Sequence, residues 1–553
     1  MTSNDPSTSP FPAGFPSNAP SPAARGSLWW SAIEAAVERM SEQLNPILVK
    51  EARQALKSKQ FVITFTLLLL AGWVWSMLGV ALLSPGVYYA PGGRFMLSGY
   101  FIVLAIPVLV IVPFSAFRSL ASEREDGTFD LLSITSLSAR QIVTGKLGSA
   151  MLQMLVYYSA LAPCIAFTYL LRGIDIITIG FLLFYTLTGS IVLSAFGLVV
   201  ATASRARHWQ ALISVLLLIV LLFTTIMWIW GFISLINTPQ ANAFDDLDFW
   251  LAQAAIVTFC ISHVVLFVQL AASQISFASD NRSTRLRVIL LIQQVLWVGW
   301  MMFFWVRWEE EAFLIITVAI AGLYWFVAGS LMMGESGVLS PRVKRRLPQS
   351  FLGRMCFTWF NPGSGTGYTF AVTNMLAVVF VVAVSGAISE IYGFARGTRS
   401  GDWLSFVLLS GAYTVGYLGV GRLVALLLHY LGRVTMLLTV LVNFFLAVIG
   451  VAVPLFFHAW MVGYTRLTYT SLQATNWIWT LEEVVDNDLG WLPLGIVVVA
   501  GFIFCLNLVF TMFEVEQTRM ATPVRVLEDN RQLAPDRTAK PKPQSPWDES
   551  TTS

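Results

Sequence analysis

The feature that most constrains this chain is a succession of apolar runs, each about 20 residues or longer, separated by short polar stretches. That is the length an α-helix needs to cross a hydrocarbon layer about 30 Å thick. The runs fall near residues 61–83, 96–117, 147–171, 175–203, 211–235, 249–274, 288–306, 312–333, 371–393, 403–428, 435–460 and 491–514. They lack the apolar/polar alternation of strands, which argues against a membrane barrel. With 56% of residues hydrophobic and 12% charged, the chain needs lipid as its solvent. The expected fold class is all-α, a polytopic transmembrane helical bundle of about twelve spans.

The placement of positive charge then sets an orientation. With the N-terminus in the cytoplasm, about 27 Lys and Arg fall on the cytoplasmic side and about 6 outside. Tryptophans including Trp228, Trp250, Trp308, Trp403, Trp460 and Trp491 cluster at the opposite helix ends, as an interfacial belt would. Both termini are then expected inside. The net charge of +3 gives no reason to expect a nucleic-acid partner. Cys164, Cys260 and Cys505 lie in apolar runs and Cys356 in a basic loop, without metal-like spacing, so free thiols are expected.

Outside the spans, residues 1–26 are rich in Pro, Ser, Ala and Gly and read as a disordered cytoplasmic tail. Residues 515–553 form a second polar tail. Residues 27–60 carry two amphipathic patterns. The second opens with Asn45 as N-cap and Pro46 at the first helical position and runs through Lys50, Arg53, Lys57 and Lys59. A basic helix just before a span fits the inner membrane surface, with packing on the protein as the plainer alternative.

The most informative loop joins the second and third spans: Glu123-Arg124-Glu125-Asp126-Gly127-Thr128-Phe129-Asp130-Leu131-Leu132, running on to Ser138, Gln141, Gly145 and Lys146. Gly127 can end a helix, and Thr128 can cap a short turn after it. Ser138 with Gln141 is a capping-box pattern leading into the third span. A soluble partner could dock here, with Glu123, Arg124 and Glu125 at the edge and Phe129 and Leu132 as apolar anchors. An ordinary connecting loop is the alternative.

The order of elbow helix, two spans, Glu-Arg-Glu-x-Gly-Thr-x-x-x-Leu, a Ser-led turn and Ile-Val-x-Gly-Lys resembles the permeases of the second exporter class of ATP-binding-cassette transporters, over residues 45–235. The resemblance implies a transport subunit rather than an enzyme, in the inner membrane of a prokaryote. It implies a separate cytoplasmic ABC-type ATPase as partner, which would hold the ATP and magnesium. Glu123 to Leu132 would be the coupling helix that sits in a cleft of that ATPase. No phosphate-binding loop occurs in the chain itself. The nearest stretch, Pro362 to Thr369, has Tyr368 where Lys is needed and reads as a flexible glycine loop before a span.

Two membrane units are expected, residues 61–274 and 275–514, each of six spans. Glu335-Ser336-Gly337 falls where Glu125-Asp126-Gly127 would recur, so the halves read as a fused pair. An unrelated second half, with the whole chain forming a homodimer, is the alternative. Inside the spans, Arg422 is the candidate pathway residue, about 10 Å of helix from the inner boundary and able to snorkel partway to it. His263 and His458 read as hydrogen-bonded packing residues, and Gln293 and Gln294 as aids to helix association. The competing functional classes are an ion-coupled secondary transporter and a polytopic scaffold or membrane enzyme.

Overall fold

In a computed structural model the chain is described over residues 45–84, 86, 89–125, 137–203, 207–237, 243–277, 281–335, 337, 358–392, 402–429, 436–462, 468–487 and 489–519. Among these residues there is no strand, and twelve helices are long and apolar enough to cross a membrane. The protein is an all-α, multi-pass membrane bundle. The tails, apart from residues 515–519, which continue the last helix, the amphipathic pattern before Asn45, and Gly127, Thr128, Phe129 and Leu132 lie outside the described residues.

The chain begins with α1 (Pro46–Lys57), whose cap is the expected one: the Asn45 side chain accepts from the Ile47 N–H at 3.1 Å, with Pro46 at the first position. Ser58 then takes an extended backbone, which ends α1, and its hydroxyl accepts from the Phe61 N–H at 3.1 Å to start α2 (Lys59–Leu83). One residue therefore makes the elbow between α1, which packs on the Ala139–Leu170 helix, and α2. The second span, α3 (Gly93–Glu125), runs past the apolar run without a break. Pro107 lies within it, and the backbone widens to a π turn over Pro107–Ile111. Ser190 donates to the Val108 carbonyl inside that turn. The capping box opens α4 (Ala139–Leu170), with the Ser138 hydroxyl on the Gln141 N–H and the Gln141 side chain on the Ser138 N–H.

The first set of spans continues through α5 (Ile176–Ala201), α6 (Arg207–Asn237) and α7 (Leu247–Ile275). The second comprises α8 (Ser283–Trp308), α9 (Ala312–Met333), α10 (Ser364–Tyr392), α11 (Asp402–His429), α12 (Met436–Val462) and, after the short α13 (Trp477–Asp486), α14 (Leu492–Arg519). Packing follows one scheme in both sets. The second span packs on the first, third, fourth and fifth; the fourth on the third, fifth and sixth; and the third also on the sixth. Two apolar cores result, one centred on α3 and the other on α9, α10 and α11. Close approach needs small residues: a Cβ at Gly197 of α5 would lie 2.9 Å from the Pro113 carbonyl of α3.

The halves meet where α7 packs on α8. Here His263 and Gln293 are in hydrogen-bond contact at 3.0 Å, and Tyr324 donates to the Gln293 side-chain oxygen Oε1 at 3.0 Å. Gln294 donates to the Asn374 carbonyl at 3.2 Å. These side chains serve helix association, as their types and positions suggested. At the far end of the second half the chain folds a polar cap back onto the bundle. Pro454 has no N–H to offer the Gly450 carbonyl, which instead accepts from the Thr475 hydroxyl at 3.2 Å. Gln473, fully buried, joins the Pro454 carbonyl to His458. Burial pushes the Tyr469 phenol above its ordinary value, opposed by its hydrogen bond to Thr480, so it stays a neutral donor.

Were all twelve candidate spans to cross, the chain would return to the face from which it started, the one that the positive charge of the sequence marks as cytoplasmic. A cysteine placed at Ser138 in a background lacking the native cysteines should therefore react with an impermeant thiol reagent only from the cytoplasmic side. One placed at Leu472 should react only from outside, and reaction of the Ser138 site from outside would overturn the topology.

Candidate functional site

The face that carries both described chain ends also carries the buried charges. Lys146 sits two turns into α4 with its side chain 1% exposed. An ammonium taken out of water needs counter-charge and acceptors for its three protons. Lys146 finds Glu51 of α1 at 3.1 Å, Glu123 of α3 at 3.0 Å and the Ser119 carbonyl at 3.1 Å. Gly145, just before it, lets Ile47 of α1 pack against α4. One cation thus holds the surface helix, the end of the second span and the start of the third together.

That arrangement revises the role expected for Glu123, whose carboxylate turns inward to Lys146. Arg124 reaches the Ala201 carbonyl at the end of α5 at 3.4 Å, and Glu125 is exposed. Of the three charged residues before the 126–136 segment, Glu123 is thus tied to Lys146, Arg124 reaches α5 and Glu125 is exposed.

The second half solves the same problem with arginine. Arg287 at the start of α8 is fully buried, donating to Glu335 at 2.8 Å and to the Trp359 carbonyl at 2.6 Å. Its guanidinium lies over the Phe370 ring at 5.8 Å. Glu335 precedes the 338–357 segment and Trp359 follows it, so a single guanidinium fastens both ends of that loop. Across the 126–136 segment the two flanks are joined directly, by the ion pair of Glu123 with Lys146.

Arg422 is also 0% exposed and does not snorkel. It donates to the Asn507 carbonyl and the Thr511 hydroxyl at 2.8 Å each, and pairs with Glu514 of α14 at 3.1 Å. The residue that the sequence offered as a pathway cation is a tie between α11 and α14. Glu514 in turn accepts from the Gly365 N–H at 2.8 Å, a carboxylate at the N-terminus of α10. The glycine stretch expected as a flexible loop is, from Ser364 on, the first turn of α10. Gly365 is required there because a Cβ would lie 2.7 Å from both Arg422 and Glu514.

No group of three or more His, Cys, Asp or Glu side chains able to hold a metal occurs among the described residues. Every buried cation is neutralised by a carboxylate from another element. Such an arrangement can transmit the position of one helix end to another. Comparison with protein-family models, curated proteins and solved structures gives no match.

Replacing Lys146 by Met would leave Glu51 and Glu123 facing one another without their counter-ion. The expected cost is about 3–5 kcal/mol, the usual penalty for breaking a buried pair from one side. It should appear as a clear fall in the unfolding temperature of the detergent-solubilised protein. Arg140→Gln, an exposed change on the same helix, should leave that temperature within a degree or two (roughly 0.5 kcal/mol).

Proposed function

We propose that the chain is the membrane-embedded permease of an ATP-driven transporter of exporter type, worked by a separate cytoplasmic ATPase. The observation that carries this reading is the fastening of two loops at equivalent places in the two halves. A loop whose base is pinned by a buried ion pair passes a push on its tip to the spans that hold the base. The 126–136 and 338–357 segments would receive such a push. ATP binding in the partner would move the loop tips, and the ties would move α1, α3, α4, α8 and α9. The partner must bind one arrangement of the helices more tightly than the other, since a ligand indifferent to the two states shifts nothing.

The shared packing scheme supports the fused-pair organisation, one chain offering two docking loops to two ATPase copies. An ion-coupled transporter would instead call for ionisable groups facing one another near the membrane midplane, on interrupted helices. The buried ion pairs described here lie at helix ends.

The experiment is co-expression with an ATPase that carries a phosphate-binding loop and is encoded beside this chain. Phe129→Ala should remove an apolar anchor worth about 2 kcal/mol, weakening the complex roughly thirtyfold. Gly127→Val should strain the expected break in the loop, and Glu125→Lys should slow association most at low salt. All three variants should insert at normal abundance while complex recovery or complex-linked ATP hydrolysis falls. Unchanged recovery and hydrolysis in all three would refute the reading.

A further inference from the structure

Beside the Lys146 tie, a cavity of about 300 Å³ lies between α1, α2, α3 and α4. Its polar wall includes Glu51, Gln54, Ser58, Ser115, Arg118 and Ser122, and its apolar wall includes Phe61, Ile111 and Tyr157. Lys146 also lines it, but the ammonium is already committed to Glu51, Glu123 and the Ser119 carbonyl. Two charged groups remain open to a ligand. Arg118 is exposed and has no hydrogen-bond or ion-pair partner among the described residues. Glu51 holds Lys146 through Oε1 only, which leaves its second carboxylate oxygen for another donor.

One guanidinium and one carboxylate edge on the same cavity match a ligand that carries one phosphate and one ammonium. A purely basic pocket would instead select an anion. The site of entry narrows the choice further. Gln54 and Gln60, both exposed lining residues, stand on either side of the Ser58 elbow, where the surface helix turns into the first span. Just beyond, Val62, Ile63 and Leu67 of α2 are exposed and apolar, as a surface along acyl chains would be. The mouth therefore lies at headgroup depth.

We propose that this cavity binds the headgroup of an aminophospholipid from the leaflet in which α1 lies. Arg118 takes the phosphate, the primary ammonium donates to Glu51, and the acyl chains run along α2. The inference rests on the cavity and its charges and not on the transport reading.

The full chain, purified in mild detergent, can be titrated with phosphatidylethanolamine, phosphatidylglycerol, phosphatidylcholine and inorganic phosphate, with bound lipid counted by native mass spectrometry. Phosphatidylethanolamine should be retained about tenfold more tightly than either other lipid, the difference expected from one charge-assisted hydrogen bond. Arg118→Gln should lower its retention about tenfold, whereas Arg53→Gln, outside the cavity lining, should not. Ser122→Leu, which fills part of the cavity without changing charge, should also lower its retention and gives a second reading should Arg118→Gln fail to fold. Equal retention of the three lipids, or retention unaffected by Arg118→Gln, would mean ordinary annular lipid and overturn the proposal. Displacement of the lipid by millimolar inorganic phosphate would assign the cavity to a soluble anion and overturn it equally.

Discussion

A charge that cannot reach water must bring its counter-charge with it, and this requirement decides which helix ends of the bundle are held together. Lys146, Arg287 and Arg422 are each withdrawn from solvent, and each pairs with a carboxylate from a different part of the chain. Such pairs are a poor source of net stability, because desolvation consumes most of the Coulomb attraction. Their value is in register. If α1 slid by a turn relative to α4, Lys146 would lose Glu51, and a slide of α14 against α11 would likewise take Glu514 from Arg422. Apolar packing alone would tolerate many such slides, since lipid tails are as apolar as the helices they would replace.

The remaining polar groups follow the same logic at lower stakes. Hydroxyls and amides satisfy backbone carbonyls that proline or a π turn has freed, as Ser190 does for Val108 and Thr475 for Gly450. Side-chain pairs such as His263 with Gln293 join helices where the halves meet. The cap formed by the 471–475 turn and α13 hangs on Tyr413, which donates to the Ala474 carbonyl at 2.7 Å, and on the buried Gln473. Each arrangement leaves the hydrocarbon in contact with carbon.

What the sequence made legible was governed by local physics. The apolar runs located the spans, and the caps at Asn45 and Ser138 formed as their residue types dictate. His263, His458, Gln293 and Gln294 took the packing roles that isolated polar residues in a bundle usually take. What was not legible depends on which helices meet. Glu123 reads as a surface residue of a charged loop until Lys146, 23 positions on, is folded beneath it. Arg422 reads as a snorkelling cation because nothing nearby in sequence can neutralise it, and Glu514 reaches it only through the packing of α14 on α11. The glycine stretch before α10 looks like a loop because its helix start is capped by that same distant carboxylate. A visible clue did exist: Glu514 is an acidic residue at the very end of the last apolar run.

On the proposed transport reading the Lys146 tie serves transmission more than stability, and those two contributions can be separated. A triple variant, Glu51→Gln, Glu123→Gln and Lys146→Met, removes the charges from both sides at once and leaves no unpaired ion, so its stability should stay near that of the native protein. The measurement is ATP hydrolysis by the proposed partner ATPase, co-expressed with this variant, alongside recovery of the complex. The account predicts that the complex is recovered while hydrolysis by the bound partner falls several-fold, because the loop would no longer be fastened to α1. A triple variant that is stable, binds the partner and supports native hydrolysis would contradict it.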